Sequence, residues 1–207
     1  NAAWLAAELT EAGFEIALET TVADDLEAIA QAVRDLTQRH RVVVSTGGLG
    51  PTSDDLTARA VAQAAGVELA RDDSALLAIR RRVEARGRQV TPAHEKQADV
   101  PVGSDILPNG DGTAPGFALG LGTARAFFLP GVPAEIRRMF KEQVLPRIRP
   151  EAETGTWTIR LRTFGYGESV VAQHLDGLEE AAASWGDGHV RLGYRAHGPE
   201  VDVKVHA

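Results

Sequence analysis

Residues 45–57 read Ser-Thr-Gly-Gly-Leu-Gly-Pro-Thr-Ser-Asp-Asp-Leu-Thr and set three glycines within four positions, close to two adjacent acids. Glycines at that density let an anion approach backbone N–H groups with no Cβ in the way, and the hydroxyls of Thr46 and Thr52 add further donors. Carboxylates beside such a cradle suit a metal ligand or a base. The chemistry is that of a phosphate or pyrophosphate site. A structural reading of the same residues stands beside it: Thr52 and Asp55 have the spacing of a capping box, Asp54 and Asp55 complement a helix dipole, and Gly-Pro punctuates a turn. That reading accounts for the acids but not for the glycines.

A cradle of this kind needs a strand before it and a helix behind it. Residues 41–45 carry three successive valines, as a strand buried on both faces would, and Leu56, Ala60, Val61 and Ala64 have helical spacing. The loop therefore sits at the carboxyl end of a sheet strand, where open α/β sheets bind ligands and where a helix N-terminus adds its dipole.

Around this unit the chain alternates. Asn1 is placed to cap a helix with Leu5, Leu9 and Ala12 inward and Gly13 at its end, and a helix opening a parallel α/β unit normally follows a strand, so a first strand is expected to be missing. Phe14, Ile16 and Leu18 predict a strand over 14–20. Leu26, Ile29, Ala30, Val33 and Leu36 predict a helix over 24–37, with Asp24 as its cap or a functional acid. Helices are expected over 73–86 and over 91–97, the second with Thr91 as N-cap and Pro92 in its first position. Residues 105–122, rich in Gly and Pro, read as turns and a long loop. A last strand over 126–129 leads through Pro130-Gly131-Val132-Pro133 into a helix with Ile136, Met139, Phe140 and Val144 inward. This describes a three-layer α/β/α domain with a mostly parallel sheet over 1–149. Pro146, Pro150 and the polar stretch 151–155 mark a boundary. Beyond it the order is strand, helix, strand, strand over 156–164, 168–178, 189–194 and 200–206.

The 207 residues are 43% hydrophobic and 25% charged, enough for one good core and a second small unit. Cysteine is absent, which excludes disulfides, thiolate nucleophiles and sulfur-ligated metals and fits a reducing, cytoplasmic setting. No run of about 18 apolar residues suggests a membrane partner. A net charge of −7 argues against a nucleic-acid backbone as the main partner. Arg80, Arg81, Arg82, Arg86 and Arg88 cluster as a solvated helix face or as a rim attracting an anion.

Five ordered segments carry a resemblance: Thr46 to Thr52 with Asp54-Asp55-Leu56-Thr57, then Gln97-Ala98, Gly112-Thr113-Ala114-Pro115-Gly116-Phe117, Leu129-Pro130-Gly131-Val132-Pro133-Ala134-Glu135, and Gly165-Tyr166-Gly167-Glu168-Ser169. In this order they resemble the amino-terminal half of the CinA family, and the Thr-Gly-Gly, Gly and Asp-x-Thr core is shared with MoaB and Mog molybdopterin-binding domains. The resemblance implies a MoaB/Mog-like domain followed, over 156–207, by a truncated α+β KH-like domain. That domain has no Gly-x-x-Gly clamp, so its fold label does not imply RNA binding.

The implied activity is metal-dependent hydrolysis of ADP-ribose to AMP and ribose 5-phosphate. A molybdopterin-binding module without turnover and a scaffold for a nicotinamide mononucleotide deamidase domain are the alternatives. The implied catalytic residues and metal ligands are Asp55 and Asp24, with a divalent cation and potassium as cofactors. The implied ligand-binding residues are Asn1, Thr46, Gly47, Gly48, Gly50, Thr52, Thr57, Lys96, Thr113, Gly131 and Glu135. His94 stands where relatives carry Asn. The expected partners are a nucleotide substrate and a second copy of the chain in a homodimer.

Overall fold

The fold is known from a computed structural model, which describes residues 1–149, 158–183 and 190–206. In chain order the elements are α1 (Ala2–Glu11), α2 (Leu26–Arg39), β1 (Val42–Thr46), α3 (Thr57–Ala65), β2 (Leu69–Arg71), α4 (Asp73–Ala85), α5 (Pro92–Lys96), β3 (Asp99–Pro101), β4 (Asp105–Leu107), β5 (Gly116–Leu121) and β6 (Ala124–Leu129). There follow α6 (Pro133–Met139), a π-helical turn (Phe140–Val144), α7 (Leu145–Ile148), β7 (Thr158–Phe164), α8 (Glu168–His174), α9 (Leu178–Ala183), β8 (Arg191–His197) and β9 (Glu200–His206). Two compact units result: Asn1–Leu5 with Ala17–Pro150, and Ala6–Ile16 with Glu151–Ala207. The expected boundary stretch 150–155, and Thr156 and His189 at the starts of expected strands, lie outside the described residues.

The larger unit is built on a sheet in the order β1-β6-β5-β4. β1 and β6 run parallel with Thr46 beside Leu129, while β5–β6 and β4–β5 are antiparallel. The sheet is thus mixed rather than mostly parallel. The reason is local: Leu121 pairs with Ala124 across a two-residue hairpin, and Gly122 at φ +62° supplies the left-handed backbone that such a turn takes. The long loop expected over 105–122 accordingly contains β4 and β5. β2 and β3 form a separate antiparallel ribbon.

Helices cover both faces. Phe128 and Phe117 stack at 4.8 Å and join Val43, Ala126, Val33 of α2 and Val61 of α3 in one buried cluster. Phe127 and Leu129 point the other way by strand alternation, toward α6: a Cβ on Gly116 would meet Met139 Cε at 3.0 Å and Leu129 Cδ2 at 3.3 Å. On this side Trp4 of α1 packs edge-on against Phe140 at 5.7 Å. The π-turn after α6, where Leu145 N–H reaches back to Phe140 O, falls just ahead of Pro146, which has no N–H to continue an α-helical ladder.

Two expected boundaries move. Residues 14–20 form no strand, because no described strand lies alongside to complete a ladder, and Leu18 is 58% exposed. The cap of α2 is Asp25, whose side chain accepts the Ala28 N–H at 2.8 Å, so Asp24 lies one residue before the cap.

The cap of α4 yields a pH-dependent expectation. Asp72 Oδ1 accepts from Ser74 Oγ at 2.5 Å and from Ala75 N–H at 2.8 Å. The Ser74 bond foremost, then that from Ala75, holds its carboxyl below the usual range. Asp72→Ala should cost about 1 kcal/mol at neutral pH. A depressed folded-state pKa means that this stability is present above the ordinary aspartate value and is lost as pH falls through the folded one. Chemical denaturation of both proteins should therefore show a gap at pH 7 that closes below about pH 4. A gap that persists in acid would contradict the assignment.

The smaller unit holds an antiparallel sheet in the order β7-β9-β8. Val201 and Val203 of β9 are buried with Val171 of α8, and Leu175, Leu192, Tyr194 and Val205 pack around them. The helix expected over 168–178 is interrupted, with α8 ending before Gly177 at φ +76° and α9 starting after it.

Candidate functional site

The loop after β1 is shaped by two left-handed glycines, Gly47 at φ +102° and Gly48 at φ +67°. Gly47 N–H extends the β1–β6 ladder by donating to Leu129 O at 2.9 Å. Buried Thr57 then ties the loop down: its hydroxyl donates to Gly47 O at 2.9 Å and its N–H to Gly48 O at 3.1 Å. Thr57 is thereby a brace beneath the loop rather than a group on its surface.

Asp55 closes the far side. Its Oδ2 accepts Thr52 N–H at 2.8 Å and Thr52 Oγ at 2.7 Å. It packs so closely that a Cβ on Gly50 would stand 2.6 Å from the same oxygen. Burial pushes the Asp55 carboxyl up, but the bonds from Thr52, the Gly50 N–H and the nearby Lys96 charge together outweigh it and hold the carboxyl below the usual carboxylate range. Lys96 Nζ donates to the carbonyls of Thr52 and Asp55, the latter at 3.1 Å. The chain of contacts Lys96–loop–Asp55 fixes residues 50–55 without using the remaining backbone donors.

Those donors matter most. Among the described residues no protein acceptor takes the N–H of Gly48, Leu49, Ala58 or Arg59. All four residues line one cleft, together with Gly50, Asp55, Lys96 and Gln97. The N-cap position of α3, Leu56, offers no side-chain bond to the first turn. Residues with unsatisfied N–H groups, two of them in the first turn of α3, lining a cleft with Lys96 on its wall, are an arrangement able to receive an anion. The guanidinium of Arg59 is exposed, lines the same cleft and has no carboxylate partner among the described residues. The sequence reading missed it. The available signal was a cation in the first turn of a helix, where the dipole disfavours positive charge.

The loop after β6 lies beside the first one: a Cβ on Gly131 would be 3.6 Å from Gly47 Cα, and Asn1 Nδ2 donates to Gly131 O at 2.9 Å. Thr46 ends β1 next to Leu129. Asn1, Thr46, Gly47 and Gly131 are thereby brought together. Thr113 and Glu135 belong to a second cluster. Asn109 Nδ2 donates to Glu135 Oε2 and to Ala114 O, each at 2.8 Å, and a Cβ on Gly112 would lie 2.3 Å from the Glu135 carboxylate. Arg82 and Arg86 of the basic cluster donate to the carbonyls of Gly110 and Asp111, so these two arginines hold a loop. His94 Nδ1 lies 2.8 Å from Thr91 Oγ1 in the cap of α5.

Asp24 just precedes the amino-terminal end of α2. Because α2 runs into β1 through a short turn, this end shares a side with the carboxyl end of β1. No described group of three His, Cys, Asp or Glu side chains is arranged to hold a metal ion. Asp55 is engaged by Thr52, with the Lys96 ammonium near it. These residues do not fit a metal held by the protein alone. A hard cation such as Mg²⁺ commonly binds through substrate phosphates and keeps several waters.

A family model described as a probable molybdopterin binding domain matches residues 1–150. Over 207 residues the chain is 40% identical to a CinA-like protein of Geobacter sp. (strain M21), aligning all of this chain with 49% of that protein. A CinA-like protein of Escherichia coli O17:K52:H18 is 38% identical, over 99% of this chain and 50% of its own length. The chain spans about half the length of these curated relatives. Among solved structures, the protein CinA with unknown function from Thermoplasma acidophilum matches with a TM-score of 0.64 and 33% identity, over 73% of this chain and 86% of that one.

Proposed function

The chain belongs to the family of probable molybdopterin-binding domains and to its CinA-like members, and on that premise we propose that its glycine loop holds the pyrophosphate of ADP-ribose for hydrolysis to AMP and ribose 5-phosphate. One observation carries this reading: four residues whose N–H groups have no protein acceptor among the described residues, Gly48, Leu49, Ala58 and Arg59, line one cleft with the cationic residues Arg59 and Lys96. Nonbridging phosphate oxygens are the ligand atoms that match such a set.

Each residue then has a part. The loop N–H groups and the α3 dipole hold the nonbridging oxygens, and their charge grows as the bond to the bridging oxygen stretches. Arg59 and Lys96 add fixed positive charge. Asp55 and Thr57 keep the loop in its shape from opposite sides. In the reaction a water oxygen bonds to one phosphorus, the bond from that phosphorus to the bridging oxygen breaks, and the proton released passes to solvent. A divalent cation belongs to this reading only as a partner of the ligand's phosphates. Asp55, with its depressed pKa, is a poor proton acceptor near neutral pH, so its part is to position the loop.

Arg59→Ala is expected to weaken ADP-ribose binding about tenfold, because a charge-assisted bond to phosphate contributes roughly 1.5 kcal/mol. Calorimetric titration measures this directly. Unchanged affinity would remove Arg59 from the site. A second reading, a molybdopterin-binding module without turnover, is favoured by the description of the matching family model. It predicts tight binding of a phosphate-bearing pterin and no AMP release.

A further inference from the structure

The net charge of −7 conceals a segregation of charge in the smaller unit. In the antiparallel register of β7, β9 and β8, Arg160 pairs with Lys204, both Arg162 and Arg195 pair with Asp202, and Arg191 pairs with His206. Directly paired residues share a face, so all five Lys and Arg residues between 158 and 206 fall on one side of the sheet. Val201 and Val203 turn the opposite side toward α8, and the helices and the turn between them carry the acids Glu168, Asp176, Glu179 and Glu180.

Stability does not explain this arrangement. Like charges directly opposite each other on neighbouring strands destabilise a sheet, yet Arg160 faces Lys204. Asp202 is 5% exposed; its oxygens lie 3.1 Å from Arg162 Nε and 3.6 Å from His197 Nε2, and Glu200 also pairs with Arg162 at 3.4 Å. The two acids of this face are thus occupied. Among the described residues no carboxylate lies within ion-pair distance of Arg160, Arg191, Arg195 or Lys204, although Arg195 stands opposite Asp202 in the register. Phe164, in register with Glu200 and therefore on the same face, is 71% exposed.

We propose that this open sheet face, with Arg195, Arg160, Lys204 and Arg191 spread along it and an exposed Phe164 at one end, binds single-stranded nucleic acid. The cations match a chain of phosphates, and arginine adds bidentate phosphate contact and stacking on planar groups. An exposed aromatic ring at the end of this row of cations gives an unpaired base a surface to stack on, which an acidic polypeptide would not use. The proposal is independent of the glycine-loop site.

Fluorescence anisotropy with a labelled single-stranded oligothymidylate tests it on the whole chain. Three to four phosphate contacts should weaken binding roughly 20- to 50-fold between about 50 and 200 mM salt. Arg160→Glu with Arg195→Glu should weaken it more than about tenfold, and Phe164→Ala about tenfold for the single strand but not for a duplex of equal length. Arg160→Gln separates function from structure: relief of the Arg160–Lys204 repulsion should raise the melting temperature while the affinity falls. The proposal is overturned if the parent chain does not bind the oligonucleotide at low salt, if the charge-reversed protein binds as well as the parent, or if polyglutamate competes as effectively as the oligonucleotide.

Discussion

Gly48→Ala should abolish nucleotide binding, lowering affinity for ADP-ribose by at least about a hundredfold. Two costs act together. Gly48 sits at φ +67°, where an L-residue costs roughly 1–2 kcal/mol. The new methyl carbon would also stand 2.2 Å from Thr57 Oγ1 and 3.2 Å from Thr57 Cβ. Thr57 cannot retreat cheaply, since it is 6% exposed and its hydroxyl and N–H hold the carbonyls of Gly47 and Gly48. The loop has to lift instead, and Gly48 and Leu49 leave their places in the lining of the cleft. Calorimetric titration of the variant, with circular dichroism to confirm the fold, measures the effect. Affinity within threefold of the parent would mean that the loop N–H groups do not hold the ligand. Gly47→Ala makes a useful partner: it shares the positive φ, but its Cβ would meet nothing within 4 Å, so its loss should be smaller.

Asp55→Ala should produce the second-largest effect. The carboxylate accepts from Thr52 N–H and Oγ and from Gly50. Its removal leaves the 50–55 turn held by Lys96 and by the Asp55 N–H to Thr52 O bond at 3.3 Å, at a cost of roughly 1–2 kcal/mol in local stability and about tenfold or more in ligand affinity. Asp55→Asn retains an acceptor oxygen for Thr52 and should fall between the parent and the alanine variant. The pH dependence follows from the depressed carboxyl: the contribution is present above the ordinary aspartate pKa and is lost as pH falls through the lower folded-state value. Binding by the parent should therefore hold from neutrality down to about pH 4 and decline only in stronger acid. A decline near pH 6 would contradict the Thr52–Asp55 arrangement.

The parts that were legible in sequence were those written in local chemistry. Valines 42–44, the glycines after them and the apolar spacing of α3 specify strand, loop and helix from nearest neighbours, and the β1–loop–α3 unit has that form. The parts that were not legible depend on partners distant in sequence. Phe14, Ile16 and Leu18 alternate like a strand, but alternation cannot create a neighbour to pair with. Residues 105–122 look like turns because Gly and Pro are frequent there, yet Leu107, Phe117 and Ala118 become strand residues once β6 lies beside β5. Asp24 and Asp25 compete for one cap, and the hydrogen bond to Ala28 decides it. At the site, the glycines and Asp55 stood out by type. Arg59 did not, since an exposed arginine on a helix is ordinary until a cleft is found beside it. The basic face of the smaller unit was equally hidden, because strand register alone brings its five cations together.

The most direct test of the central claim is AMP release from ADP-ribose, followed by chromatography with a panel of divalent cations for the parent chain and for Gly48→Ala. The account predicts cation-dependent release of AMP and ribose 5-phosphate in equal amounts by the parent, and none by the variant. A folded parent that binds ADP-ribose but releases no AMP with any cation would contradict hydrolysis and leave a binding module. Equal release by parent and variant would contradict the glycine loop as the site of the reaction.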